Sequence, residues 1–422
     1  MVTWPYAAGL NCFGPAGSPV YSVSGNPGTY PADPYTPSQY GAWRSHVTSA
    51  IMARDLSVGV DHYRHQPSPA PFLDAQRAGD ATRLAGYHAA MDQIVDDTLG
   101  GGLGVAWTPF LSQPNIDPLY PLDGIGSPGF ENFSTYLISS AVRYAPRGPK
   151  FALGLMNEPP DPSTFSASWP VMQKELFRRV RAAVGGAMTL FVTAANYSSP
   201  YLLSGSDYSF NVTPANGLNP GDYDGNCLFE FHPLYPSPLV LQGANYNGRY
   251  KYVRGMAYPP DTNDKAAVVV ATSAAINTDG SLTTAQKTAL LASATGSGGL
   301  IEEIGYYYSL PQNGAWFGKV LDSALTWARY YGLAPSRLYA GEIGITRQNT
   351  AFGAGIGNDE LSRSRYMRDA SIEVSKRGIR SAWDHLDTPD YGVTKGAGTV
   401  IGDYAPAHLA ALNFPGLKLL RY

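Results

Sequence analysis

The sequence predicts a (β/α)8 TIM barrel, and three observations predict it. Eight short apolar, glycine-marked runs alternate with longer stretches of helical period along most of the 422 residues. Such alternation implies parallel strands joined by right-handed crossovers, and eight strands are the number that closes a barrel. The chain carries 46 Gly and 34 Pro, while charged residues make up only 15%, against about 25% in an average soluble protein. Long ordered loops suit that composition and charge-driven disorder does not. A doubly wound open sheet is the competing topology.

The first strand is expected at Gly9–Phe13 (GLNCF). It runs into an extended β1 loop, Phe13–Tyr40, rich in Pro, Gly, Tyr and Ser and without periodicity, which on a barrel lies over the C-terminal face. A helix at Ala42–Leu56 leads to the second strand, Val58–Arg64 (VGVDHYR), and a helix at Asp80–Thr98 to the third, Gly104–Pro109 (GVAWTP). Asn132–Tyr144 precedes the fourth strand, Phe151–Asn157 (FALGLMN). In the next helix, Trp169–Val184, the apolar stripe is Leu176, Phe177, Val180 and Val184, with Lys174, Arg178 and Arg181 opposite. Met188–Ala194 and Cys227–His232 are the fifth and sixth strands.

A long insertion, Pro233–Leu310, follows. It holds an apolar run (Ala266–Ala271), a helical pattern (Thr283–Ala292) and the aromatic cluster Tyr306, Tyr307 and Tyr308. No linker composition flanks it, so it reads as an elaborated loop of a single domain spanning 1–422. Helix Trp316–Tyr331, strand Arg337–Glu342 (RLYAGE), helix Asp359–Lys376 and strand Gly378–Trp383 (GIRSAW) complete the set.

Composition excludes several functions. A formal net charge of −3 leaves no electrostatic footprint for nucleic acid. No apolar stretch reaches the roughly 18 residues that a membrane-spanning helix needs. Cys12 and Cys227 are the only cysteines, which is no disulfide framework, and zinc patterns require more thiols or paired histidines. His62 and His65, three apart on a strand, face opposite sides. Asp222-Tyr223-Asp224-Gly225-Asn226 alternates oxygen ligands as calcium loops do but lacks their later bidentate Glu, and reads as a polar turn. No metal and no cofactor is expected. Met1–Leu10 has neither a basic n-region nor a long apolar h-region, so the protein is either intracellular or has lost a leader peptide. Low charge and few Lys favour the second, giving the expectation of a secreted or periplasmic monomer.

The chemistry sits at strand ends. Leu153–Pro160 (LGLMNEPP) delivers the amide of Asn157 and the carboxyl of Glu158 at one terminus, where Pro159 stops the strand. In Leu338–Ile345 (LYAGEIGI), Glu342 ends an apolar run between Gly341 and Gly344, which permit close approach of backbone or substrate. Burying a carboxylate costs several kcal/mol unless it is paired, so two such carboxyls demand a reason. On one rim of a barrel they face each other. At about 5 Å one attacks an anomeric carbon while the other protonates the leaving oxygen; at roughly 6.5–9.5 Å a water fits between and the outcome inverts. Glu303, in Leu300–Gly305 (LIEEIG), is a rival on another short apolar run, discounted because Glu302 beside it reads as exposed.

With these residues in view, the chain resembles a clan A glycoside hydrolase, most closely family 5, the cellulases and mannanases. Asn157-Glu158-Pro159 is similar to that family's acid/base strand and Gly341-Glu342-Ile343-Gly344 to its nucleophile strand. The resemblance implies that Arg64 supports the nucleophile, Asn157 bonds the sugar 2-hydroxyl, His232 is the site histidine, Tyr235 donates to the nucleophile and Trp383 is a platform under the sugar. Two departures stand out. The family's H-x-Y is here His232-Pro233-Leu234-Tyr235, and its third-strand histidine is replaced by Trp107, which is expected to bind substrate in its place. The implied activity is retaining hydrolysis of a β-linked polysaccharide or oligosaccharide. Transglycosylation at the same site, or a non-catalytic glycan-binding barrel, are the alternatives. Low charge with many aromatics suits such a ligand, since sugar rings present C–H faces to aromatic planes. Neither G-x-S-x-G nor H-E-x-x-H occurs.

Overall fold

The computed structural model describes residues 1–12, 47–110, 122, 124–159, 169–204, 217–244, 248–260, 265–310, 314–348 and 356–383. The extended first loop, and the first residues of the helix expected at Ala42–Leu56, lie outside them. Eight strands form a closed barrel in sequence order. They are β1 (Ala8–Cys12), β2 (His62–His65), β3 (Gly104–Trp107), β4 (Phe151–Gly154), β5 (Thr189–Thr193), β6 (Cys227–Phe231), β7 (Leu338–Ile343) and β8 (Arg380–Trp383). Every pairing is parallel, and Ala8 opposite Ser381 closes the ring. The open sheet is thereby excluded.

Six of the eight strands, all but β1 and β7, are shorter than the expected runs, in part because polar strand ends leave the ladder to become the rim. β2 starts at His62, not Val58, since Gly59 turns the chain at φ 98°. β4 ends at Gly154, so Asn157 and Glu158 stand beyond it. The first helices of the outer layer are α1 (Ser49–Ser57), α2 (Ala70–Ala78), α3 (Ala81–Gly100), α4 (Pro128–Tyr144) and α5 (Trp169–Val184). Ser127 caps α4 by accepting from the Phe130 amide, with Pro128 in the first turn where its missing N–H is harmless.

The insertion folds as helices: α6 (Lys265–Thr278), α7 (Thr284–Thr295) and α8 (Leu300–Tyr307). The run Ala266–Ala271 therefore lies in a helix, and Thr283 opens α7 with a reciprocal capping box to Gln286. Glu303 sits on α8, paired with Arg249 at 2.8 Å and accepting from the Tyr250 hydroxyl at 3.1 Å. α9 (Ala315–Tyr330) and α10 (Glu360–Lys376) complete the layer. No described helix is long and apolar enough to cross a membrane.

Strand alternation divides the core in two. Most buried apolar side chains fill the shell between strands and helices. A smaller cluster fills the barrel interior: Trp4, Ala106, Ala152, Phe191, Leu228, Tyr339 and Ala382. Trp4 enters from the N-terminal end, where its amide donates to Thr189 at the start of β5. Its ring meets those of His62, Phe191 and Tyr339 at centroid distances of 4.7, 5.4 and 6.0 Å. His62 fits only because β1 offers Gly9 beside it; a Cβ there would lie 2.2 Å from the imidazole Nε2.

Candidate active site

Above this apolar base the inward positions turn polar. On β2, Tyr63 and His65 face the helices, where Tyr63 donates to Asp55 and His65 meets Thr98. His62, Arg64 and, past the strand end, Gln66 take the other face. His62 contacts Asp61 and Tyr339 at 2.6 and 2.8 Å. The two histidines thus point to opposite sides, as strand geometry requires. On β6 the same alternation puts Leu228, Glu230 and His232 on one side and Phe229 on the other, against Trp327.

β7 departs from strict alternation. Its pairing with β8 steps from Ala340–Ser381 to Ile343–Trp383, one extra residue on β7. Such a bulge re-aims a side chain, and it accounts for Glu342 reaching the interior group although Tyr339 already faces inward. Gly341 in the bulge meets Glu230 from β6: a Cβ there would lie 2.0 Å from Glu230 Oε1. Glycine is required here by contact with a buried carboxylate.

The polar groups form one connected cluster. Arg64, fully buried, donates to Glu230 at 2.7 Å, to Asn157 Oδ1 at 2.5 Å and to Glu342 Oε1 at 3.2 Å. Gln66 Nε2 also donates to Glu342 Oε1, at 2.5 Å. His232 Nδ1 lies 2.9 Å from Glu158 Oε1 and 3.6 Å from Glu342 Oε2, while its Nε2 lies 3.3 Å from Glu230. Burial opposes the charge of Arg64, but Glu230 and Glu342 more than offset it and raise its pKa. Burial likewise opposes imidazolium at His232, yet Glu342 and the hydrogen bonds to Glu158 and Glu230 push its pKa up to about 10. Glu230 is penalised by burial, then held below the usual carboxylate value by Arg64 and His232. Two buried cations, Arg64 and His232, thus meet the carboxyl groups of Glu230, Glu342 and Glu158 in one cluster.

Glu158 differs from Glu342. Its side chain is 21% exposed, against 8% for Glu342, and its backbone sits at φ 43°. A non-glycine residue there carries strain, which clusters at functional sites. Asn157 donates its amide to the Pro109 carbonyl at 2.7 Å. After β5 the chain makes a left-handed turn, Asn196, Tyr197 and Ser198 at φ 55°, 55° and 58°. Left-handed non-glycine residues cost of order 1–3 kcal/mol each. The turn ties the site together: the Tyr197 amide donates to the Pro159 carbonyl, and the His232 amide to the Ser198 carbonyl, both at 2.8 Å.

The structure thus brings Glu158, Glu342, Arg64, Asn157 and His232 together. Trp107 is corrected: it is fully buried on the helix-facing side of β3, its Nε1 donating to Tyr136 on α4 at 3.4 Å, because its inward neighbour is Ala106. A ring packed there offers no face to a sugar. Trp383 is 1% exposed and belongs to the shell cluster, while Ala382 takes the interior position; no described contact joins it to either glutamate. Tyr235 packs its ring near Tyr201 and Trp316, and its carbonyl accepts from the Tyr366 hydroxyl. Sequence reasoning missed Glu230 and Gln66. A Glu inside the apolar run CLFEF, in step with His232, and a Gln in step with Arg64 were the available signals.

Glu158, His232 and Glu342 each place one ligand atom within 4.8 Å of the others, but a metal would require His232 to give up its proton, against the carboxylates that hold it there. The polar turn near Asp222 is used otherwise, Asp222 by Lys174 and Asp224 by Arg181, each at 2.6 Å.

No family model and no curated protein matches this sequence. Solved structures do match it, over nearly the whole chain. The cellulose synthase subunit Z from Clostridioides difficile is 16% identical, with a TM-score of 0.61, covering 97% of this chain and 99% of its own. Endoglucanase Cel5A from Thermotoga maritima is 14% identical, TM-score 0.61, covering 96% of each. A family 5 xyloglucanase from Paenibacillus pabuli is 12% identical, TM-score 0.60, covering 98% and 99%. The chain shares the (β/α)8 fold of these proteins.

Proposed function

We propose that this protein is a retaining glycoside hydrolase acting on a β-linked glucan-type chain, with Glu342 as nucleophile and Glu158 as acid/base. One observation carries the reading: ligand oxygens of Glu158 and Glu342 lie within 4.8 Å of each other. So close an approach favours direct attack by one carboxylate over the wider spacing that an inverting enzyme's water needs.

Each side chain then has a task. Glu342 receives donors from Arg64 and Gln66 at one oxygen, which fixes its direction. It attacks the anomeric carbon as the bond to the leaving oxygen breaks and Glu158 gives that oxygen its proton. Glu158 next takes a proton from water, which displaces Glu342 and restores the enzyme. Asn157 has its Oδ1 occupied by Arg64, so its amide hydrogens remain for a sugar hydroxyl. Similarity to endoglucanases and a xyloglucanase supports a glucan backbone.

The test combines a panel of β-glucans, mannans and xylans with proton NMR of the first product. Release of the β-anomer first is expected, and release of the α-anomer first overturns the two-step reading. Glu158→Gln and Glu342→Gln should each abolish turnover in a folded protein; normal hydrolysis by either removes that residue from its role.

A further inference from the structure

We infer that the helical insertion carries a second glycan site, a hollow beside α8 built around Tyr306 that grips a stretch of the β-linked chain separately from the carboxylate cluster. The choice of ligand rests on the proposed hydrolase reading; the hollow does not.

The three adjacent tyrosines of the insertion have different fates. Tyr307 is fully buried and donates to the Ala257 carbonyl, and Tyr308 packs on Tyr307 at a centroid distance of 5.2 Å. Tyr306 is 54% exposed, and among the described residues its ring meets no other ring and its hydroxyl makes no hydrogen bond. Helical spacing explains the split. Leu300, Ile304 and Tyr307 are buried, so Ile301 with Gly305, and Glu302 with Tyr306, form pairs one turn apart on the other side.

That side borders a hollow of about 620 Å³, lined by Lys265 from α6, Thr295 and Ser297 at and after the end of α7, and Ile301, Glu302 and Tyr306 from α8. Ligand sites have volumes of this order. Gly305 seats the lysine: a Cβ there would lie 2.9 Å from Lys265 Nζ and 3.4 Å from its Cε. Glycine inside a helix is destabilising relative to alanine, and here it lets the ammonium lie against the helix. Lys265 makes no ion pair among the described residues. Glu302 accepts from the Gly298 amide at 2.7 Å through Oε2, which leaves Oε1 unbonded. An ammonium donor, a carboxylate acceptor and an open aromatic face thus surround one space. Their charges cancel, so the hollow suits a neutral ligand with hydroxyls at its edges and C–H groups on its face, which describes a sugar ring.

Position gives the site a use. α8 packs on the helical turn Ser237–Val240, and the Val240 carbonyl accepts from the Thr346 amide at 2.9 Å. Thr346 follows the end of β7, which carries Glu342. The insertion is therefore fastened to the end of the barrel where the glutamates stand, and a chain held by Tyr306 stays at that end between cuts.

The test is affinity electrophoresis in native gels containing hydroxyethyl cellulose or, separately, xyloglucan. Glu342→Gln, which on the proposed reading leaves the polymer uncut, is compared with the same variant carrying Tyr306→Ala or Gly305→Leu. The first removes the aromatic face and the second fills the hollow. Each is expected to weaken the apparent Kd for at least one polymer about fivefold. With Glu342 intact, Tyr306→Ala should keep kcat/KM on p-nitrophenyl β-cellobioside within about twofold, as independent sites behave. Tyr306 is exposed, so its removal leaves the fold standing and decides alone should Gly305→Leu unfold. Unchanged retardation in a folded double variant, no retardation of Glu342→Gln by either polymer, or an equal loss on the short substrate overturns the inference. If the wild type cleaves neither the short substrate nor the polymers, the hydrolase reading has failed on its own, and the gels still decide the second site.

Discussion

Gly341→Ala is the sharpest single perturbation the structure offers. The added methyl would lie 2.0 Å from Glu230 Oε1, 2.8 Å from Cδ and 2.9 Å from Cγ. Glu230 is 1% exposed and cannot swing into solvent, so the carboxylate must leave Arg64, at 2.7 Å, and His232, at 3.3 Å. Breaking a buried ion pair costs about 3–5 kcal/mol, since the partner charge is left uncompensated. Urea unfolding of Gly341→Ala should therefore show a loss of about that size. The decisive arm is the cycle with Glu230→Ala, which is itself destabilising but removes the side chain in the way. In that background Gly341→Ala should add less than about 1 kcal/mol, a strong departure from additivity. A loss under about 1 kcal/mol for Gly341→Ala alone, or an equal loss in both backgrounds, refutes the claim that glycine is there to seat Glu230.

Two further outcomes follow from the same geometry. His232 is raised from 6.5 to about 10 in the folded protein, so its ionic contribution to stability is full below about pH 6.5 and is lost as pH climbs towards 10. Urea midpoints of the wild type should fall across that window relative to His232→Asn, and parallel curves would show that the imidazolium contributes nothing. Trp107→Phe should lower stability through lost shell packing while leaving kcat/KM within about twofold; a tenfold fall in kcat/KM with unchanged stability would return Trp107 to the substrate site.

The barrel and the position of the two glutamates on its rim were legible because strand ends carry an economical signal: an apolar run that reaches a polar residue beside a Gly or Pro. Asn157-Glu158-Pro159 and Gly341-Glu342 both have it. Which way a side chain points was harder to read. Trp107 and Trp383 lie on strands, and one residue of register separates a sugar platform from shell packing. Glu230 was hidden because it lies within an apolar run; His232 follows two residues on, just past the end of β6, but Arg64 and Gly341 come from β2 and β7, which only the folded barrel sets beside it. The insertion's apolar run Ala266–Ala271 carried no element type in the sequence, because six consecutive Ala and Val residues satisfy either period.

Trp4, wedged among His62, Phe191 and Tyr339, makes the base of the barrel dry. The ionic cluster above it consequently feels bulk solvent from one direction only. On the proposed reading, a carbohydrate settling over Glu158 and Glu342 would cover the described cluster on its open side, and by shedding the water there it would strengthen each of the charge pairs beneath it.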